Sequence, residues 1–227
     1  AKVSSATIGV SGAASTSVIQ VGNSTTPTNA GTFDVSPVYN SGSGGHIALH
    51  LRTTTPNRPT GFEINPTRTL TTWTIDENAV GGTLVVAGGD ITVTGALTLT
   101  NGIISTGAST ITHNGAATRT NGYVDGNLSR NYTAAEAYTY HVGQNGYSPV
   151  LATITALPTG PSSLTVKAID TTLPGLNTPV STSRYWSLTE IGNITADLAF
   201  TYLDEDVNGI ETDYRVFRSD AGIMTNL

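Results

Sequence analysis

Residues 82–115 are built from very short segments in which apolar residues alternate with Thr, and Gly or Asn-Gly closes most of them. The segments are 83–86, 91–94, 97–100, 103–105 and 110–112. A period of two predicts strands with one buried face and one hydroxyl-lined face. A strand of about four residues cannot bury its own apolar face, so neighbouring strands must stack on it. This region therefore predicts stacked β-solenoid turns or a tight meander.

The rest of the chain also favours strands over helices. Shorter candidate strands before residue 76 are 6–10, 17–21, 46–52, 62–64 and 72–75. Longer candidate strands, with Pro or Gly in most of the gaps between them, follow at 138–142, 150–156, 163–169, 184–189, 197–202 and 214–218. The longer, widely spaced strands are typical of an antiparallel sandwich. We therefore predict an all-β fold, with a short-stranded, solenoid-like or meander region over 1–120 and an antiparallel β-sandwich over 121–227.

Charge divides the chain at the same place. Residues 1–120 hold five basic and five acidic residues, whereas residues 121–227 hold five basic and eleven acidic residues. The whole chain has 10 Lys and Arg against 16 Asp and Glu, no basic cluster and no apolar run of membrane-spanning length. These features argue against a nucleic-acid partner and against a membrane span.

Cysteine and lysine usage indicate the compartment. The chain has no Cys, which excludes disulfides, thiolate zinc sites and thiol chemistry. Lys2 and Lys167 are its only Lys residues, so sites for trypsin-like proteases are few, and the sequence opens without a hydrophobic leader. We expect a processed mature chain or an excised piece of an extracellular or cell-surface protein.

Five motifs in a fixed order carry a family resemblance. They are LTLTNGIIST at 97–106, NGYVDGNLSR at 121–130, YHVG at 140–143 with GYSPV at 146–150, LTVKA at 164–168 and RYWSL at 184–188. This order and spacing resembles a strand-rich repeat module of large bacterial cell-surface and secreted, adhesin-like proteins, over roughly residues 82–218. The resemblance implies a scaffold or stalk without catalysis, and a sandwich truncated at its C-terminal end, since such modules continue with more strand.

An acidic segment is the strongest candidate metal site. Oxygen-bearing side chains recur here with a Gly at the sixth position, as in the first half of a calcium loop. The candidate calcium ligands are Asp204, Asp206, Asn208, Glu211 and Asp213. The twelfth position is Arg215 and not the bidentate Glu of a calcium loop. The alternative is a solvated acidic hairpin tip closed by Asn208-Gly209, without any cofactor.

Aromatic side chains allow a second function, a carbohydrate-binding module of a secreted protein. The candidates for stacking on a glycan are Tyr39, Trp73, Tyr123, Tyr132 and Tyr147, with Trp73 and Tyr147 the pair to test. The alternative is that these rings belong to the core or are scattered over the surface.

Catalytic patterns are weak, so we predict that the protein is not an enzyme. There is no Gly-x-Ser-x-Gly elbow, and nothing selects a pair of carboxylates for acid–base work. The neutral, hydroxyl-rich first half instead favours association of copies through unpaired strand edges. We predict that the segment Ala6, Thr7, Ile8, Gly9 and Val10 is donated to a neighbouring copy. The predicted function is a non-enzymatic extracellular structural or adhesive surface protein, a candidate filament subunit.

Overall fold

The computed structural model of the chain describes residues 7–9, 17–21, 38–40, 47–51, 58–61, 64, 67–76 and 82–227. These residues form strands throughout, and the prediction of an all-β fold is confirmed. The strands up to residue 120 are β1 (Thr7–Gly9), β2 (Ser17–Val21), β3 (Val38–Asn40), β4 (Ile47–Leu51), β5 (Arg58–Pro59), β6 (Thr69–Leu70), β7 (Thr72–Asp76), β8 (Thr83–Val85), β9 (Ile91–Val93), β10 (Leu97–Asn101), β11 (Ile103–His113) and β12 (Ala117–Arg119).

Longer strands and three short 3-10 helices make up the remainder. The strands are β13 (Tyr123–Tyr132), β14 (Ala137–Tyr140), β15 (Val150–Ala156), β16 (Ser162–Ile169), β17 (Tyr185–Ile191), β18 (Thr195–Phe200), β19 (Phe217–Asp220) and β20 (Ile223–Asn226). Within the described residues the only helices are the 3-10 turns Thr178–Val180, Asp204–Asp206 and Glu211–Asp213. No helix in this part of the chain has the length and hydropathy that crossing a membrane requires.

Strands β2 to β13 pair in parallel with strands one repeat away in the sequence. β10 lies between β7 and β12, and β11 lies between β8 and β13. Paired residues are 23–30 positions apart in the earlier layers, as in Ser17 with Ile47, and mostly 20 apart in the later ones, as in the hydroxyl pair that joins Thr98 to Thr118. A meander would pair consecutive strands antiparallel. In this region the structure instead stacks non-consecutive strands in parallel.

The predicted alternation of apolar and Thr residues produces the buried face of this stack. Leu97 and Leu99 of β10 are fully buried, whereas Thr98 between them is partly exposed. Trp73 of β7 lies beside Leu97 in the parallel register. Each buried side chain of this size contributes roughly 1.5–3 kcal/mol relative to full exposure. The stacked apolar positions therefore stabilise strands that are too short to fold singly.

Close contacts between layers require Gly at the corners. A Cβ added to Gly115 would collide with the backbone carbonyl of Gly95, one layer below. Side-chain amides also connect the layers, since Asn121 Nδ2 donates to Asn101 Oδ1 at 3.1 Å and Asn101 Nδ2 donates to Asp76 Oδ1 at 2.7 Å. The Gly residues that punctuate the sequence thus permit backbone approach between layers.

β13 joins the parallel stack to the antiparallel part. One side of β13 pairs in parallel with β11, and the other pairs antiparallel with β16, which pairs with β17. The eight-stranded sheet therefore runs without interruption past residue 120. The division of the chain into regions 1–120 and 121–227 stays a prediction.

A second antiparallel sheet, in the order β14-β15-β18, packs on the end of the first. The rings of Trp186 and Phe200 lie 4.9 Å apart between centroids, and Tyr140 Oη donates to the Leu164 carbonyl at 3.0 Å. Buried residues of both sheets belong to one apolar cluster. The sheets are sandwich-like in this part of the chain.

The last predicted strand is displaced. The sequence predicts a strand over 214–218, but Glu211–Asp213 is a 3-10 turn and β19 begins at Phe217. Tyr214 Oη donates to the Asn208 carbonyl and accepts from the Asn208 amide, both at 2.7 Å. These two bonds hold residues 208–214 as a compact turn. Of the predicted strand 62–64, residues 62 and 63 lie outside the described residues.

Candidate functional site

The acidic segment is organised around a buried ion pair. Arg184 donates two hydrogen bonds to the Asp206 carboxylate, from Nε to Oδ2 at 2.6 Å and from Nη2 to Oδ1 at 3.2 Å. The Leu203 amide donates to the same carboxylate at 2.9 Å. Asp206 therefore has charged and neutral partners from the protein, which fully occupy its oxygen atoms.

The other candidate calcium ligands do not converge with the Asp206 carboxylate on a metal position, although Asp204 belongs to the same 3-10 turn and Asn208 Nδ2 donates to the Asp206 carbonyl at 3.4 Å. Glu211 Oε1 accepts from Tyr202 Oη at 2.6 Å, and Asn208 Nδ2 donates to the Ser181 carbonyl at 3.0 Å. Asp204 and Asp213 lie in two separate 3-10 turns. Among the residues that the structure describes, no group of three or more His, Asp or Glu side chains is arranged to hold a metal. The hairpin-tip alternative is wrong in its geometry, because 3-10 turns and not strands flank Asn208-Gly209. Whether the segment binds calcium or no cofactor stays a prediction.

The two glycan candidates lie in different environments. Trp73 is fully buried in the parallel stack, so its ring cannot stack on a sugar in the folded protein, which corrects that prediction. Tyr147 is half-buried, and the Arg119 guanidinium covers one face of its ring at 3.5 Å from the centroid. Tyr123 is also half-buried, and Tyr132 is buried. The side chain of Tyr39 lies outside the part of the chain that the structure describes. The structure brings Tyr123 and Tyr147 together, with ring centroids 6.4 Å apart, but Arg119 covers one face of Tyr147, and Trp73 and Tyr132 are buried elsewhere.

A groove of about 840 Å³ lies between β12 and β14, with Tyr147 in its lining. Its charged groups already have partners within the protein. Arg130 forms an ion pair with Glu136 at 3.0 Å, and Arg119 Nε donates to the Gly122 carbonyl at 2.8 Å. Glu136 is the one carboxylate among the described residues that line the groove.

The histidine in this groove is a neutral hydrogen-bonding group. Burial, together with the charge of Arg119, lowers the pKa of His141 to about 4. Its Nδ1 lies 2.7 Å from Tyr147 Oη. Arg119, Arg130, Glu136 and His141 of the groove thus each have at least one partner within the protein.

The predicted donor strand has a partner inside the chain. Thr7–Gly9 form β1, which pairs in parallel with β3 of the same chain. Ala6 and Val10 lie outside the described residues. Donation of this strand to another copy stays a prediction, and it would require β1 to leave β3.

An unpaired edge lies at the other end of the molecule. β17 is the last strand of the eight-stranded sheet and β18 the last strand of the three-stranded sheet. Within the described residues each pairs on one side only, β17 with β16 and β18 with β15. A row of backbone amides and carbonyls on each strand therefore lacks a ladder partner. We call β17 and β18 together the open edge.

Apolar side chains of the open edge are exposed although they face the same side as the core. Leu188 lies opposite the buried Val166 and Leu198 opposite the buried Ala152, yet each leucine is 38% exposed. Ile191, at the end of β17, is 61% exposed. The open edge also carries the carboxylates Glu190 and Asp197 and no Lys or Arg over 185–200. It is an apolar and acidic surface.

The C-terminal hairpin is a second unpartnered surface. β19 and β20 pair with each other and form a sheet of their own. Phe217 is 42% exposed and Ile223 is 71% exposed, and Val216 and Leu227 beside them are also exposed. A two-stranded hairpin without further packing is marginally stable in water. We call residues 215–227 the hairpin surface.

Sequence reasoning missed both surfaces. Apolar residues on both faces of β17, such as Leu188 and Ile191, suggest a central strand of a sandwich. Only the order of strands in the sheets shows that β17 and β18 are terminal. The available signal was the absence of Lys and Pro from β17 and β18, since protected edge strands often carry them.

Comparisons with known proteins identify no relative of this chain. No protein-family model matches it, and no similar curated protein or solved structure was found. The open edge and the hairpin surface are therefore interpreted from their own geometry and charge.

Proposed function

We propose that this protein is a non-enzymatic structural or adhesive module of the cell surface, which associates with copies of itself through β-strand edges. The observation that carries the proposal is the open edge, where Leu188 and Leu198 are each 38% exposed beside unpaired backbone groups. An edge of this kind favours the addition of another strand, since both apolar area and backbone hydrogen bonds are gained.

The chemistry of the open edge supports association. Soluble proteins usually protect an edge strand with Lys, with Pro or with a covering loop. β17 and β18 contain neither Lys nor Pro. Burying apolar area that is now exposed stabilises a complex by roughly 25 cal/mol per Å² before the cost of association. The open edge is therefore a surface that gains from a partner.

The rest of the described molecule supports a scaffold role. The parallel stack is uncharged over most of its length and presents Thr side chains outward, so it offers little chemistry. The charged groups of the groove have partners within the protein, since Arg130 pairs with Glu136 and Arg119 donates to the Gly122 carbonyl. The resemblance to adhesin-like modules, the few charges and the two Lys residues agree with an extracellular location.

Sedimentation velocity over a wide range of protein concentrations tests this proposal. The wild-type protein is expected to form larger species as its concentration rises. Leu188→Lys with Leu198→Lys should remain monomeric, because each Lys places a charge on the open edge. Leu151→Lys is the matched control, since Leu151 is 42% exposed but lies on the central strand β15. A wild-type protein that stays monomeric at every concentration would contradict the proposal.

A further inference from the structure

We propose that the hairpin surface of one copy docks on the open edge of a second copy, so that copies join head to tail. This inference rests on the proposed function and names the partner for the open edge. Both surfaces belong to the same chain, and in the described structure each lacks a partner strand on at least one side. The partner is therefore a second copy of this chain.

The two surfaces match in length and hydropathy. β19 and β20 are four residues long, and the exposed part of β17 is the five-residue stretch from Ser187 to Ile191, which is long enough to pair with either strand. A hairpin strand placed along this stretch would supply the missing ladder partners. Phe217 and Ile223 lie on opposite faces of the hairpin. Phe217 would then lie against the exposed leucines, and Ile223 would lie beside Ile191, which is on the other face of β17. Docking would bury apolar surface that is exposed to water on both the hairpin surface and the open edge of the single chain.

The two surfaces also match in charge. The open edge carries Glu190 and Asp197, whereas the hairpin surface carries Arg215 and Arg218 with Asp220. Arg215 Nη1 donates only to backbone carbonyls, those of Asp213 and Tyr214. Unlike charges across an interface steer encounter and fix register.

Arg218 is free to change partner. Its present ion pair with Asp220, at 3.1 Å, is exposed on both sides, with side chains 66% and 72% accessible. An exposed pair of this kind contributes little to stability, about 0–1 kcal/mol. Arg218 therefore loses little when it turns towards a carboxylate of the open edge.

Charge disfavours the competing arrangement, in which two open edges meet. Two-fold pairing of β17 with its own copy would bring Glu190 and Asp197 of both copies into one interface. Like charges that face each other across strands are destabilising. The hairpin surface supplies the opposite charge. Because the two surfaces differ, the contact is heterologous, and repeated contacts generate a ring or an open filament.

A mixing experiment with two blocked variants tests the inference. The edge-blocked variant carries Leu188→Lys and Ile191→Lys, which repel the arginines of the hairpin surface. The hairpin-blocked variant carries Phe217→Glu and Ile223→Glu, which repel the carboxylates of the open edge. Neither hairpin residue belongs to the buried cluster, so the hairpin-blocked variant should fold, which far-ultraviolet circular dichroism checks for both variants.

Each blocked variant alone is expected to be monomeric. Their mixture should form a heterodimer of one copy of each and nothing larger, because one variant keeps its hairpin surface and the other keeps its open edge. Ile210→Glu is the control, since Ile210 is 66% exposed and lies outside both surfaces, and it should associate like the wild type.

The outcomes separate the two proposals. A monomeric wild type removes the proposed function itself. If the wild type associates and the hairpin-blocked variant associates equally well, the proposed function stands but the head-to-tail contact is wrong. A mixture that stays monomeric while the wild type associates overturns it as well.

Discussion

Arg184 and Asp206 form a buried ion pair in which the guanidinium Nε donates to the carboxylate Oδ2 at 2.6 Å. Both residues are 2% exposed. Arg184 Nη1 also donates to the Gln144 carbonyl at 2.7 Å. The pair therefore connects the residue before β17, the 3-10 turn of the acidic segment and the loop after β14. It fixes the position from which the open edge begins.

Asp206→Asn is expected to destabilise the protein by about 2–3 kcal/mol, because it removes the closer and more deeply buried of the two carboxylates that face Arg184. The second carboxylate, Asp170 at 3.5 Å, keeps part of the counter-charge. Urea unfolding followed by circular dichroism measures the free energy of unfolding. Asp204→Asn, at the exposed start of the same turn, is the control and should change stability by less than about 0.5 kcal/mol. Equal effects of the two substitutions would contradict the assigned role of the ion pair.

Added calcium should leave the melting temperature of the wild-type protein unchanged. The Asp206 carboxylate already accepts bonds from Arg184, and Glu211 accepts from Tyr202, so the acidic segment has no converging oxygen ligands. Differential scanning fluorimetry with calcium and with excess chelator measures the shift. A rise in melting temperature that the chelator reverses would show that the protein binds calcium and would contradict this prediction.

Stability should fall as the pH is lowered from about 6.5 to about 4, in part because of His113. Its Nε2 lies 2.8 Å from the Gly95 carbonyl and Nδ1 lies 2.7 Å from Tyr138 Oη, so the neutral ring donates to the carbonyl and accepts from the hydroxyl. Burial lowers the pKa of His113 to about 4 from 6.5, so the unfolded chain binds the proton first. The loss attributable to His113 is up to about 3 kcal/mol.

Free energies of unfolding measured across this pH range check the assignment. His113→Gln cannot titrate, so its stability should depend less steeply on pH than that of the wild type. His141→Gln is the control, and its free energy of unfolding should keep the part of the pH dependence that His113 causes. A slope unaffected by His113→Gln would show that this side chain is not buried in its neutral form.

Gly115→Ala should destabilise the protein by about 3 kcal/mol or more, because the new Cβ meets the Gly95 backbone carbonyl, which accepts a hydrogen bond from His113 Nε2 at 2.8 Å and would lose it on moving away. The control is Gly107→Ala, where a Cβ meets nothing within 4 Å and only the positive φ of 57° opposes substitution. That control should cost about 1 kcal/mol. Thermal unfolding of the two variants compares these effects, and a milder loss for Gly115→Ala would refute the tight contact between layers.

Self-association should weaken several-fold when Arg215 and Arg218 are both changed to Gln, since the hairpin surface then loses its attraction for Glu190 and Asp197. The double substitution Asp204→Asn with Glu205→Gln lies outside both surfaces and changes the net charge by two in the opposite direction, from −6 to −4 rather than from −6 to −8. It should leave association unchanged. Sedimentation equilibrium gives the association constants. If net charge alone governed association, the two double variants would change it in opposite directions by similar amounts, and this result would contradict the proposed contact.

The local alternation of apolar and polar residues was enough to predict most of the strands. It failed where a strand is held extended by hydrogen bonds from a neighbouring layer. Leu97 and Leu99 alternate with Thr, and they form β10 as the pattern predicts. β13 was not predicted as a strand, because Gly126 and Asn127 near its middle indicate a turn. In the structure the Asn127 amide donates to Thr106 Oγ1 at 2.9 Å, and the neighbouring layer keeps β13 extended.

The candidate site depended even more on relationships that spacing cannot reveal. Asp206 pairs with Arg184, which is 22 residues away in the sequence. The spacing of the acidic residues does not reveal this partner, so the sequence allowed Asp206 to be predicted as a calcium ligand. Leu188 has the pattern of a core residue, and only the terminal place of β17 in its sheet exposes it. Strand order is a property of the whole topology and not of a local segment.

Site-directed disulfide trapping tests the head-to-tail contact most directly, because the wild-type chain contains no Cys. Single variants Ile191→Cys and Ile223→Cys are mixed under mild oxidation, with Ile210→Cys as the exposed control. The account predicts that the first two form a mixed disulfide faster than either pairs with itself or with the control. Trapping of Ile191→Cys with its own copy at an equal or greater rate, or equal trapping of the control, would contradict it.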